Sequence, residues 1–187
     1  MIPLVIEGAS GPLKGAPPLA PAHFHPAGVV TLARRAIGWN PSVGNRYPRK
    51  GVYRAGIAYE RKVKQWLKEQ RPNVELGPWF TFRSGLNSQA RYCQPDAIEM
   101  VDGSLYIYEI KLRYSVDAWW QIMRLYHPVL AAALRPTHIF STIICRVFDP
   151  TVVTPDPQPD YDHVDVLPTV PPGTSSPSPL MALVWRP

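Results

Sequence analysis

Gln94-Pro95-Asp96-Ala97-Ile98-Glu99-Met100-Val101-Asp102-Gly103-Ser104-Leu105-Tyr106-Ile107-Tyr108-Glu109-Ile110-Lys111 reads as a β-hairpin carrying a charged cluster on an otherwise apolar face. Asp102-Gly103 supplies the turn, because a two-residue type I′ loop needs positive φ and Asp-Gly tolerates it. With those two residues as the loop, Val101 pairs with Ser104. Counting outward, Met100 faces Leu105, Ile98 faces Ile107, and Asp96 faces Glu109. Side chains alternate along a strand, so Lys111 shares the face of Glu109.

Two carboxylates opposed across strands repel each other. A divalent cation removes that cost, and hard cations prefer carboxylate oxygens. A lysine two residues beyond Glu109 can hold or polarise a water, the arrangement that metal-assisted phosphodiester hydrolysis needs. The alternative is a cross-strand salt bridge on a solvated hairpin. The apolar residues sharing the face argue for burial instead.

The flanking segments extend the pattern. Residues 55–70 are amphipathic with helical spacing, with Gly56, Glu60, Val63 and Leu67 on one stripe and Arg61, Lys64 and Lys68 on the more polar sides; Pro72 stops the helix. Glu60 on the apolar stripe needs a partner, because burying an unpaired carboxylate is expensive. A metal shared with Asp96 and Glu109 would supply one, and so would a basic neighbour. Gly56 would let that turn approach another backbone closely. Residues 78–83 alternate like a strand, and 84–90 read as a loop. Ser115 or Asp117 can cap a helix from about 116 to 127, which Pro128 ends or kinks and whose pattern continues to Leu134. Residues 137–147 are β-branched and read as a buried strand. Trp119 and Trp120 either stack on bases or cover the sheet.

The element order of helix, three strands, helix, strand, together with Pro95-Asp96 and Glu109-Ile110-Lys111, resembles the PD-(D/E)xK nuclease superfamily over roughly residues 55–147. Gly56-Ile57-Ala58-Tyr59-Glu60 resembles the GxxxE motif of RecB-like nucleases. Glu60-Arg61 and Arg83-Ser84-Gly85 resemble archaeal-type Holliday-junction resolvases. Gln121 matches the glutamine that RecB-like nucleases carry in the second helix. Their tyrosine follows four residues on, where this chain has Leu125, with Tyr126 one further.

The resemblance implies an α/β, restriction-endonuclease-like αβββαβ core, a central mixed sheet flanked by helices, with Pro-rich terminal extensions. It implies a DNA nuclease using Mg²⁺ or Mn²⁺ in recombination, repair or phage DNA processing. In that reading Asp96 and Glu109 hold the metal with the Ile110 carbonyl, and Glu60 serves a second metal or a bound water. Lys111 orients the attacking water, and Gln121 positions the nucleophile side or Lys111. Arg83 and Ser84, with Arg54, Arg61, Lys64 and Tyr126, are candidate DNA contacts, though a surface arginine is the plainer use of Arg83. RecB-like exonuclease and structure-selective endonuclease are both open. The other classes are a restriction-type endonuclease and a catalytically idle DNA-binding or assembly protein on the same fold. No helicase or ATPase motif is present, so unwinding would need a helicase or recombination partner. A homodimer would suit symmetric cutting of two strands.

Bulk properties agree with these readings. The 187 residues are enough for one domain, and a net charge of +6 suits a polyanionic partner. Cys93 and Cys145 are the only cysteines, so reduced packed thiols and a cytoplasmic setting are expected. No run is long enough to span a membrane, and no signal pattern opens the chain. The 23 prolines concentrate at the two ends. The expected organisation is an extended or flexible arm at 1–22, a nuclease domain at 23–149 with its core at 55–147, and a Pro-rich extension at 150–187. Within the arm, residues 8–14 have the wrong spacing for a phosphate loop. His23 and His25 read as a turn with exposed imidazoles. Residues 27–37 read as a short helix, 46–71 as a basic footprint, and 161–167 and 180–185 as short strands.

Overall fold

The computed structural model describes residues 4–6, 28–34, 52–83, 91–149, 151–152, 154, 157–164 and 180–187. In chain order these form β1 (Leu4–Ile6), β2 (Gly28–Arg34), α1 (Val52–Gln70), β3 (Glu75–Leu76), β4 (Phe80–Arg83), β5 (Arg91–Cys93), β6 (Ala97–Val101) and β7 (Ser104–Arg113). Then come α2 (Val116–Gln121), a π-helical turn (Ile122–Tyr126), α3 (His127–Leu134), β8 (His138–Val147), β9 (Asp160–Val164) and β10 (Leu180–Trp185). The class is mixed α/β.

The hairpin has the expected register. Val101 pairs with Ser104, Met100 with Leu105 and Ile98 with Ile107. Asp102 and Gly103 both take positive φ, at 47° and 78°, as the tight turn requires. This hairpin supplies the second and third strands of a six-stranded mixed sheet in the order β3-β6-β7-β8-β10-β9. β7 and β8 run parallel, and the other neighbours are antiparallel.

Helices cover both faces of the sheet. On one, Tyr59, Val63 and Leu67 recur every fourth residue of α1 and pack on Ala97, Tyr108, Ile110 and Ile144. On the other, Trp119, Trp120, Ile122, Leu125, Val129 and Leu130 pack on Ile98, Leu105, Ile107, Ile143 and Cys145. Each such fully buried side chain contributes about 1.5–3 kcal/mol from removal of apolar surface from water. Both tryptophans are core residues, in an edge-to-face pair, with the Arg124 guanidinium 4.1 Å from the centre of the Trp120 ring. Cys93 and Cys145 are buried and reduced, and burial pushes both thiols up to about 12.

The second helical segment does not end at Pro128. It runs from Val116 to Leu134 with the π turn inserted just before the proline. The proline falls in the first turn of α3. The widened turn before it relieves the clash its ring would make with the preceding turn.

Three expectations change. Residues 28–34 are a strand, not a helix: Val29, Val30 and Thr31 are β-branched, and β2 pairs with both β1 and β4. The strand expected at 78–83 forms as β4, but it joins a separate sheet in the order β1-β2-β4-β5, and β3 takes the place beside β6. Leu4–Ile6, within the segment expected as an extended or flexible arm, form a strand of that second sheet. β10 pairs with β8 along five residues, so the central sheet draws a strand from beyond residue 149. Leu180, Leu183 and Trp185 are buried in the core. His23, His25, residues 8–14, the loop 84–90 and the basic positions 46, 49 and 50 lie outside the described residues. Among the described residues no helix is long and apolar enough to cross a membrane.

Candidate active site

Pairing between β6 and β7 stops at Ala97, because Pro95 has no N–H to continue the ladder. Asp96 therefore sits at a fork in the sheet. Its side chain takes over the pairing: Asp96 Oδ2 accepts the Ile110 N–H at 2.8 Å, while its own carbonyl accepts from Gly77 N at 2.9 Å. The fork lets groups from both faces meet, with α1 on one side and the α2–π segment on the other.

From β7 comes Glu109, only 2% exposed. Its Oε1 accepts from the Lys111 ammonium, and its Oε2 is buried with no hydrogen-bond partner. Burial first, and the nearby Asp96 charge second, push the Glu109 carboxyl up to about 7, against the pull of Lys111 and Lys64. Lys111 in turn lies 3.4 Å from Gln121 Oε1. Burial disfavours its ammonium, but Glu109, Asp96 and Glu60 outweigh that and raise its pKa.

From α1 comes Lys64, which bridges two carboxylates: 2.6 Å to Glu60 Oε1 and 3.0 Å to Asp96 Oδ1. Its pKa is raised because those two acids outweigh the burial that opposes its charge. Glu60 is not buried on the apolar stripe. Its side chain is 38% exposed, and its partner is the basic neighbour one turn on. The stripe is carried instead by Tyr59, Val63 and Leu67. A Cβ added at Gly56 would meet nothing within 4 Å, so no close approach requires the glycine.

The π turn resolves the spacing of Gln121 and Tyr126. In a regular α-helix residues four apart share a face, whereas in a π turn the repeat widens to five. Gln121 Nε2 donates to the Tyr126 hydroxyl, which donates to the Gln94 carbonyl at 3.0 Å. Tyr126 is only 2% exposed, and burial, then Glu109 and Asp96, raise its pKa well above the ordinary phenol value. It is thus a neutral buried link between Gln121 and the chain just before Asp96, and it is not a DNA-contact surface. A chain of contacts runs from Gln94 through Tyr126, Gln121, Lys111 and Glu109.

The remaining candidates are peripheral. Arg54 and Arg61 are exposed on α1, and Arg83 is exposed at the end of β4. Ser84 lies outside the described residues. One further buried acid lies outside the sequence-predicted site. Glu99, on the α1 face of β6, accepts from the Tyr108 hydroxyl at 3.3 Å and lies 3.9 Å from Arg71. Its inward position in the alternation was the available signal, and its partners make it a structural ion pair rather than part of this cluster.

The side-chain donors at the fork are the two carboxylates of Asp96 and Glu109. Among the described residues no three His, Cys, Asp or Glu side chains gather into a metal-binding group. The fit to a hard cation rests on Glu109 Oε2: a buried carboxylate oxygen without a partner, beside a second carboxylate, is a position where a divalent ion would relieve both desolvation and repulsion. Comparison with protein-family models, with curated proteins and with solved structures finds no match for this chain.

Proposed function

We propose that the chain is a divalent-metal-dependent DNA nuclease of the PD-(D/E)xK type, with α1, the β6–β7 hairpin, the second helical segment and β8 as its restriction-endonuclease-like core. The observation that carries the proposal is the unpartnered, buried Oε2 of Glu109 next to Asp96 and Lys111. Burying a carboxylate oxygen without a partner is costly, and a cation bound there would supply one.

Asp96 and Glu109, with the Ile110 carbonyl, would hold Mg²⁺ or Mn²⁺. When bound, such an ion polarises a phosphate oxygen and lowers the pKa of water. Lys111, part-buried and paired with Glu109, supplies a positive charge that stabilises the charge developing on the scissile phosphate. Gln121, held by Tyr126, fixes the direction of the Lys111 ammonium. The net charge of +6 attracts the polyanionic substrate, and exposed Arg54, Arg61 and Arg83 supply sequence-independent phosphate contacts. The Gln121–Tyr126 link favours a RecB-like exonuclease over a junction resolvase, because that glutamine–tyrosine pair is the RecB-like feature of the second helix.

The test is a gel assay with labelled four-way junction, linear duplex and single strand, each with Mg²⁺, with EDTA, and with Lys111→Ala and Asp96→Asn. Progressive Mg²⁺-dependent shortening of linear DNA, lost in both variants, is the expected result. Discrete symmetric nicks in the junction alone would reassign the enzyme to the resolvases. Cleavage that survives Lys111→Ala, or no Mg²⁺-dependent product from any substrate, overturns the nuclease proposal.

A further inference from the structure

Lys64 holds a position that its helix does not explain. An (i, i+4) pair with Glu60 would satisfy it at the helix surface. Yet its ammonium also reaches across the fork to Asp96 Oδ1, and its side chain is only 22% exposed. The other oxygen of Asp96 is committed to the Ile110 N–H. Asp96 therefore has no unshared oxygen while Lys64 stays, although Glu109 has one.

The charge balance points the same way. Glu60, Asp96 and Glu109 face Lys64 and Lys111, so the fully ionised cluster carries one net negative charge. Adding a divalent ion would leave one net positive charge in a half-buried site. Releasing one lysine restores neutrality. Of the two, Lys111 pairs with buried Glu109 and also lies near Gln121, whereas Lys64 is shared between Asp96 and 38%-exposed Glu60 and keeps Glu60 as a partner when it leaves Asp96. A main-chain hydrogen bond at the fork is rigid, and the lysine arm is not.

We propose that Lys64 is a built-in counter-ion that occupies Asp96 until a divalent cation binds, and is then handed to a phosphate of the incoming DNA. The inference rests on the nuclease reading above and adds to it a residue whose role switches with metal occupancy. Metal entry and phosphate capture become coupled: the ammonium that leaves Asp96 is the one freed to meet the substrate. Glu60 keeps Lys64 near the mouth in both states, which gives this exposed acid a role that does not require it to touch the metal.

The experiment is calorimetric titration of Mn²⁺ into the DNA-free full chain, comparing wild type, Lys64→Met, Lys64→Gln and Asp96→Asn. Duplex DNA affinity is then measured against salt concentration, with Ca²⁺ and with EDTA. Removing Lys64 should tighten Mn²⁺ binding about tenfold, the equivalent of one charge-assisted hydrogen bond no longer competing, and Asp96→Asn should abolish it. With Ca²⁺ present, either Lys64 variant should lower the salt slope of DNA binding by about one phosphate contact; in EDTA it should leave the slope unchanged. Mn²⁺ binding that is equal in wild type and both Lys64 variants, but lost in Asp96→Asn, overturns the counter-ion role and leaves the nuclease reading standing. A salt slope that falls equally with and without Ca²⁺ overturns the handover. Absence of Mn²⁺ binding in wild type and Lys64 variants alike removes the nuclease reading itself.

Discussion

Replacing Glu109 with glutamine should stabilise the metal-free protein at alkaline pH and do nothing at acidic pH. Glu109 is buried, and its carboxyl titrates near 7 instead of the ordinary 4.5. The folded state thus holds a proton that the unfolded chain releases between those two values. Stability rises with pH only where the unfolded state binds more protons, and here it binds fewer. The Glu109 contribution is therefore fully present below pH 4.5, is lost as pH climbs toward 7, and is absent above that. A gap of about 2.5 units at 1.36 kcal/mol each makes the loss about 3 kcal/mol. Glutamine mimics the protonated acid in shape and carries no such cost. For a chain of this size, 1 kcal/mol moves the melting temperature by about 2–4 °C, so the variant should melt about 6–12 °C above wild type at pH 8.5 in EDTA. At pH 4 the two should coincide. Mg²⁺ should raise the wild-type Tm and leave the variant unmoved, because only the carboxylate gains a partner. Thermal melts by circular dichroism at both pH values, with EDTA and with Mg²⁺, read all four cases. The reasoning is refuted if the difference between the two proteins does not change with pH, or if glutamine is destabilising at pH 8.5.

Tyr126→Phe should lower kcat for DNA cleavage with little change in KM, because it loosens Gln121 and hence Lys111. It should also cost about 1–3 kcal/mol in a denaturant melt by leaving the Gln94 carbonyl short of a donor. Leu183→Ala should destabilise by about 2–5 kcal/mol in the same melt, since β10 belongs to the core; a neutral result would detach β10 from the sheet. Gly56→Ala should stabilise by about 0.5–1 kcal/mol, because the space around it is open and alanine is the better helix former.

What the sequence made legible was local. The hairpin register followed from Asp102-Gly103 and a period of two, both set by near neighbours. The α1 stripe followed from helical spacing, although Glu60 sits beside it rather than on it. What stayed hidden depended on distant chain. Gly28–Arg34 is a short apolar run whose period fits helix or strand, and only its partners β1 and β4 decide between them. β4 reads as a strand, but nothing in Phe80–Arg83 says which sheet it joins. Tyr126 looked misplaced because the four-residue rule holds only for a regular helix, and the π turn changes the rule. The bridging role of Lys64 needed the position of α1 relative to the end of β6, which no spacing in the sequence encodes.

The placement of β10 against β8 also bears on how the chain is made. Residues 138–147 leave the ribosome well before 180–185, so during synthesis β8 presents Ile143, Ile144 and Cys145 with one side of its ladder unfilled. Such an edge is a template for wrong partners, in the same chain or another. The intervening sequence is poor in candidates for that role. Pro150, Pro155, Pro157, Pro159, Pro168, Pro171, Pro172, Pro177 and Pro179 each lack the N–H that a ladder requires. The longest uninterrupted run among them becomes β9, which pairs with β10 at the sheet margin, where Asp160 and Asp162 meet Arg186. The proline spacing thus limits the competitors for the place beside β8 before β10 is made.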